Sequence, residues 1–149
     1  MMAEAALRLM TPEDYPSLFA LWNSVPGFNR GLRSLDDSEE GVRKFLKRNP
    51  TTCFVAEIAG EIIGGILAGH DGRRGYIYHA IVLPEHQGKG IGKQLADAAC
   101  DALKAEGINR VGMLVFAGNQ QGNAFWESQG WQTRPDLNYR NKSLNEDNI

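Results

Sequence analysis

Cysteine is scarce: Cys53 and Cys100 are the only two in 149 residues. Neither has a second Cys or a His at metal-ligand spacing, so neither a disulfide framework nor a thiolate metal site is expected. Both sit in apolar-patterned segments, where a free Cys behaves as a small buried hydrophobe. Long apolar runs are missing too. No stretch approaches the roughly 20 residues that a membrane-spanning helix needs. The first residues lack the basic-then-apolar pattern of a secretory leader. Charge of one sign is not in excess: 16 Lys and Arg stand against 18 Asp and Glu, a formal charge of -2, with no long run of either. That argues against a nucleic-acid or membrane partner. Repeats, linkers and low-complexity tracts are absent. The expectation is a single domain over residues 1–149, located in the cytoplasm.

What is present suits a globular chain. Hydrophobic residues at 42% and charged residues at 23% are enough for one core with a solvated surface. The 17 glycines are numerous and spread among turns. Ala6–Met10 reads as a short strand. Thr11, Pro12, Glu13 and Asp14 read as a helix start, after which Tyr15, Leu18, Phe19 and Trp22 share one helical face. Residues 23–33 form a loop. A second helix from Asp36 or Ser38 carries Val42, Phe45 and Leu46 and ends before Pro50. Residues 52–58 and 61–68 read as a hairpin around Ala59-Gly60, and Tyr76–Leu83 as a further strand. Ile91, Leu95, Ala99 and Leu103 mark a long helix closed by Gly107. Residues 110–116 read as a strand and 120–129 as a helix closed by Gly130. The tail from Trp131 is expected to hold two short strands around Pro135-Asp136, and Asn145–Ile149 to fray. The fold class is therefore α/β, with a central mixed β-sheet and about four helices. The strand–helix–strand unit over residues 76–116 should be parallel by the crossover rule.

The sharpest feature is Val82-Leu83-Pro84-Glu85-His86-Gln87-Gly88-Lys89-Gly90-Ile91-Gly92, in which a strand ends, glycines turn and a helix begins. Glycines let successive N–H groups face one hollow, and the new helix adds its unpaired donors and partial positive charge. That is an anion site, to which Lys89 and Lys93 can add charge. No Gly-Lys-Ser/Thr ends the loop, and the glycines fall at 88, 90 and 92, so neither the P-loop nor the dinucleotide fingerprint applies. A tight turn with no ligand is the plainer alternative.

Gln87, Gly90 and Gly92 match the pattern Gln/Arg-x-x-Gly-x-Gly/Ala after a strand. Asn119, Trp126, Gly130 and Trp131 match a second pattern of Asn, helix, aromatic and Gly-aromatic. Together these segments resemble the GCN5-related N-acetyltransferase (GNAT) family. The motifs cover residues 77–131, and the first half resembles the family by element order alone. His70 and His86 read as turn residues and form no metal-ligand cluster with His79, so no metal is expected. The resemblance implies acetyl-CoA as cosubstrate and a primary amine as acceptor. It implies that the N–H groups of Gly88, Lys89, Gly90, Ile91 and Gly92 hold the coenzyme A pyrophosphate. The backbone of Ile81 and Val82 would pair with the pantetheine arm. Asn119 would touch that arm or cap the last helix, which are compatible roles. A homodimer is compatible with the resemblance, and no surface patch in the sequence marks one.

Direct acyl transfer needs a neutral amine, a stabilised thioester oxygen and a hydrogen bond or proton for the leaving thiolate. Where many family members have a Tyr serving the thiolate, this chain has Trp126. Its N–H can donate a hydrogen bond but is no acid at neutral pH. In the strand Tyr76–Val82, period two places Ile77, His79 and Ile81 on one face. His79 is the candidate base and Tyr78 a candidate donor, each also readable as a packed core residue. Glu57 is a weaker base candidate. Trp22, Phe28, Asn29 and Arg30, in or beside the loop between the first helices, are candidate acceptor contacts. Cys53 and Cys100 lack an adjacent activating group, which speaks against a covalent acyl-enzyme. The alternative reading is a catalytically silent acyl-CoA sensor.

Overall fold

The computed structural model describes residues 4–149. In order along the chain, the elements are β1 (Ala6–Leu9), α1 (Tyr15–Ser24), α2 (Glu39–Arg48), β2 (Phe54–Ile58), β3 (Glu61–His70), β4 (Gly75–Val82), α3 (Ile91–Ala105), β5 (Val111–Met113) and α4 (Gln120–Ser128). The strands form one sheet in the order β1-β2-β3-β4-β5. All neighbours are antiparallel except β4 and β5, which are parallel across the α3 crossover. The expected mixed α/β class is what the chain adopts.

Two cores sit on the two faces of the sheet. On one, Leu18, Leu21 and Trp22 of α1 and Val42 and Leu46 of α2 pack on Val55, Leu67 and Ile81. On the other, Ile91, Leu95, Ala99 and Leu103 of α3 pack on Ala56, Ile66, Ala68 and Ile77, with Trp126 and Trp131 at the margin. Each fully buried Leu or Ile contributes about 1.5–3 kcal/mol. Strands β2 to β4 are therefore covered on both faces, which is why β3 reads as a nearly continuous apolar run. Helix α2 starts at Ser38, whose hydroxyl accepts the Gly41 N–H at 3.0 Å, and has Glu39 and Glu40 in its first turn and Lys47 and Arg48 in its last. That charge order suits the helix dipole.

Four expectations need correction. The buried stripe of α1 is Leu18, Leu21 and Trp22; Phe19 is 45% exposed and stacks on Tyr15. The helix start at Thr11 is a 3-10 turn over Pro12–Asp14 that leads into α1. The tail forms no strand: residues 132–147 are all exposed, and Arg134 and Asp136 pair across the Pro135 turn. No alternating apolar pattern exists there to bury a strand face. Residues 147–149 are not frayed, because they hydrogen-bond to Ser34, Leu35 and Asp36.

Candidate active site

Strand β4 carries the irregularity that opens the sheet. Its pairing with β3 slips by one residue: Leu67 faces His79 and Ala68 faces Ile77, so Tyr78 is the extra residue of a β-bulge. A bulge bends its strand and increases the local twist. On the opposite edge, β5 pairs with β4 only between Val111–Met113 and Gly75–Ile77. Beyond that point the parallel strands part. The expected strand over residues 110–116 is accordingly three residues long, and Leu114 and Phe116 leave it half exposed. Among the described residues, Tyr78–Val82 has no strand beside it on that edge. Such an edge offers its backbone to an extended ligand. The bulge also overturns the period-two assignment: Ile77 lies in the α3 core, whereas Ile81 joins the α1–α2 core and His79 sits edgewise against Trp22.

At the end of β4 the chain makes a 3-10 turn over Pro84–His86 and enters α3. Gly88 and Gly90 have φ of 81° and 83°, the left-handed region that other residues resist, and nothing lies within 4 Å of a Cβ built on either. Gly90 is the N-cap, and the first intrahelical bond runs from the Gln94 N–H to the Gly90 carbonyl at 3.0 Å. The N–H groups of Ile91, Gly92 and Lys93 therefore precede the helix's own bonding and are its open donors. The Ile91 side chain is 4% exposed and anchors the turn in the core, leaving only its main chain for a ligand. Gly92 has a different task. A Cβ there would fall 3.2 Å from the Phe125 ring, so its bareness lets α4 pack against α3.

Several side chains of the loop are already engaged. Gln87 donates through Nε2 to the Val82 carbonyl at 3.0 Å and accepts from Gln121 of α4 at 3.2 Å. Asn119 accepts the Gly122 N–H at 2.9 Å as N-cap of α4. Lys93 pairs with Asp97 at 2.6 Å, with both side chains exposed, so the pair contributes little. Lys89 lies 3.5 Å from the His86 ring, and its charge stands over the turn.

On the other face, His79 Nε2 lies 2.6 Å from Asp37 Oδ1, and the two side chains are 12% and 10% exposed. The His79 ring is set edgewise against Trp22 at 5.0 Å and Phe28 at 5.6 Å. Asp37 is itself pinned: its Oδ2 accepts the Arg33 N–H at 2.7 Å, and its carbonyl accepts the Tyr15 hydroxyl at 2.7 Å. A carboxylate only accepts, so the neutral ring carries its proton on Nε2 and its lone pair on Nδ1. No spacing in the sequence links Asp37 to His79; they meet because the α1–α2 loop folds onto β4.

The chain as a whole is similar to known proteins. The profile of the Acetyltransferase (GNAT) family matches residues 15–131. The chain belongs to the GNAT acetyltransferase family. It is 28% identical over 141 residues to an acetyltransferase of Sodalis glossinidius, covering 95% of this chain and 96% of that one. Its fold matches PaiA N-acetyltransferase from Thermoplasma acidophilum in complex with coenzyme A, with TM-score 0.73, 18% identity and coverage of 88% and 91%. It also matches an aminoglycoside acetyltransferase from a soil metagenomic sample in complex with sisomicin, with TM-score 0.72, 19% identity and coverage of 95% and 97%.

In this acetyltransferase the remaining candidates fall into place as follows. Trp126 packs edgewise on Phe125 at 4.9 Å and Trp131 at 5.3 Å, at the margin of the α3 core and across the sheet from His79. Tyr78 is 55% exposed, with its ring against Phe45 and Tyr76. Desolvation, Tyr139 and the Asp36 and Asp71 carboxylates raise its pKa, so its hydroxyl is a donor at neutral pH. Trp22 is buried and reaches the site only through the His79 ring. Asn29 and Arg30 are exposed, and the Arg30 guanidinium sits 4.8 Å from the Phe116 ring, joining the α1–α2 loop to the segment after β5. Glu57 is bound to Arg8, which also grips Asp14, and is thus committed to the β1–β2 side. His70 accepts the Gly72 N–H within its turn. Among the described residues no group of three His, Cys, Asp or Glu could hold a metal. No helix among them is long and apolar enough to cross a membrane.

Proposed function

We propose that this enzyme transfers the acetyl group of acetyl-CoA to a primary amine, on a small molecule, a protein N-terminus or a lysine, by direct attack. The residues present fit that cosubstrate: Gly88 and Gly90 leave the main chain of the turn uncovered, the open α3 donors follow it, and the free edge of β4 leads up to it. Bound acetyl-CoA supplies the activated acyl group. The N–H groups of Gly88 to Lys93 bind the pyrophosphate, and Ile81 and Val82 take the pantetheine as a half-strand. His79 accepts the amine proton on Nδ1, directly or through a water, while Asp37 holds Nε2–H and stabilises the imidazolium that forms. Tyr78 donates from the mouth of the opening. With Trp126 on α4 in place of the usual Tyr, the candidate hydrogen-bond donors to the thiolate are Tyr78 and the indole N–H, and a thiol of ordinary acidity tolerates the lack of a stronger acid.

The observation that carries this reading is the His79–Asp37 hydrogen bond beside the opening between β4 and β5. The test is calorimetric titration with acetyl-CoA and coenzyme A, followed by thiol release over a panel of primary amines. Binding with amine-dependent thiol release supports the reading. Binding with no release over the whole panel would make the protein an acyl-CoA sensor, and no binding would remove the cofactor site altogether.

A further inference from the structure

The segment after α4 returns across the molecule. Trp131 is tied back to α4 by its N–H on the Trp126 carbonyl at 3.0 Å. From 132 to 146 every residue is exposed, and the hydrogen bonds found there are local turns. The segment then ends in a clasp on the turn that leads into Asp37. Three consecutive donors of that turn are given to it: the Ser34 N–H to the Ile149 carbonyl at 2.7 Å, and the Leu35 and Asp36 N–H groups to Asn148 Oδ1 at 2.9 and 3.1 Å. Asn148 Nδ2 donates to the Asp36 carboxylate at 2.9 Å. Ser34 Oγ donates to the Asp147 carbonyl and accepts the Ile149 N–H.

Asn148 suits this position chemically. Its carbonyl takes two N–H groups while its amide offers a donor to a carboxylate. An Asp of the same shape would still accept but would set two carboxylates against each other, and an Ala would return both N–H groups to water. The turn it holds is one residue from Asp37, and the Arg33 and Asp37 main chains close around that carboxylate from the other side.

We propose that Asn148 is a positioning residue for the His79–Asp37 pair, fixing the turn so that the carboxylate meets Nε2–H. This rests on the reading of His79 as proton acceptor. Displacement of a base from its productive geometry by about 1 Å can cost on the order of a hundredfold in rate. Asn148→Asp should therefore lower kcat by about ten- to a hundredfold and leave acetyl-CoA affinity within about twofold, since the glycine loop lies elsewhere. The double variant Asn148→Asp/Asp36→Asn exchanges donor and acceptor across the clasp and should restore kcat. The Nε2–H proton of His79, held by Asp37, should broaden by solvent exchange in the single variant and sharpen in the double. Ser34→Ala, which loosens the same clasp more gently, serves if the first variant folds poorly, and should shift both readouts in the same direction.

His79→Ala is measured alongside. If it lowers kcat by about a hundredfold or more while Asn148→Asp and Ser34→Ala leave kcat and the resonance unchanged, the clasp is only structural and the proposal is overturned. If His79→Ala retains the wild-type kcat, the reading of His79 fails and the proposal falls with it.

Discussion

Replacing Asp37 by Asn tests the chemistry of the site with little change in shape. The carboxylate accepts two hydrogen bonds, from His79 at 2.6 Å and from the Arg33 N–H at 2.7 Å. The Arg33 N–H can only donate, so the amide oxygen of the variant must stay with it and the amide NH2 must face His79. Nε2 then becomes the acceptor and the ring's proton moves to Nδ1, the atom that has to take the amine's proton. Two charge-assisted bonds become neutral ones, at a cost of about 1 kcal/mol each. For a chain of this length the combined loss of about 2 kcal/mol lowers Tm by roughly 4–8 °C, so the fold survives. The rate should fall far more, by about 10²–10⁴ in kcat, the span of general-base catalysis. The assay is steady-state thiol release, with acetyl-CoA affinity from calorimetry and Tm from circular dichroism. A variant with Tm lowered as expected but kcat within about threefold of the parent would refute the tautomer argument, and with it the role of His79.

Gly90→Asp places a side chain at a φ of 83°, costing about 1–2 kcal/mol, and sets a carboxylate among the open donors of α3. Acetyl-CoA should bind at least about tenfold more weakly, equivalent to ~1.4 kcal/mol, and unchanged affinity in the titration would count against the glycine loop as the anion site. Cys53 is 1% exposed, and burial pushes its thiol up to about 12. Incubation with acetyl-CoA and no amine should leave the intact mass unchanged, and a stable gain of one acetyl group on Cys53 would contradict direct attack. Asp14 bears on acid stability. Burial opposes its ionisation, but the Arg8 guanidinium and the Thr11 donors outweigh this and lower its pKa below the usual carboxylate value. Its stabilising contribution is thus complete above the unfolded-state pKa of about 3.9 and is lost as pH falls through the lower folded value. Asp14→Asn should lower Tm at pH 7 while narrowing the difference from the parent as the pH drops below about 4; a constant difference across that range would show that the carboxylate's charge is not what matters.

The chemistry divides along the sheet. The open donors of α3 and the free edge of β4 are the features proposed to take the acyl donor, while His79 and Asp37 lie on the face that meets the α1–α2 loop. The bulge at Tyr78 falls where the β4–β5 pairing ends, and it sets His79 and Ile77 on opposite faces of the sheet.

Local order was written in the chain. Thr11-Pro12, Ser38 and Asn119 announced helix starts, Gly107 and Gly130 announced stops, and the strand–glycine–helix run from Val82 to Gly92 announced its turn in Gly88 and Gly90. Those features depend on φ preferences and on groups a few residues apart, which any window of sequence contains. Other features depended on which segments meet. Period two misplaced Ile77 relative to His79 and Ile81 because a bulge is set by pairing with β3, not by β4 alone. Asp37 lay unnoticed among Arg33, Asp36, Glu39 and Glu40, since its partner is 42 residues away. Gly92, grouped with the pyrophosphate loop, proved to be bare for the sake of Phe125. The clasp of Asn148 on Leu35 and Asp36 spans 113 and 112 residues. The sequence by itself determined most of the elements and the strand–glycine–helix turn, because their physics is local. Only the tertiary structure brought Asp37 to His79 and the last residues to the α1–α2 loop, because a hydrogen bond between distant residues exists only once the backbone has brought them together.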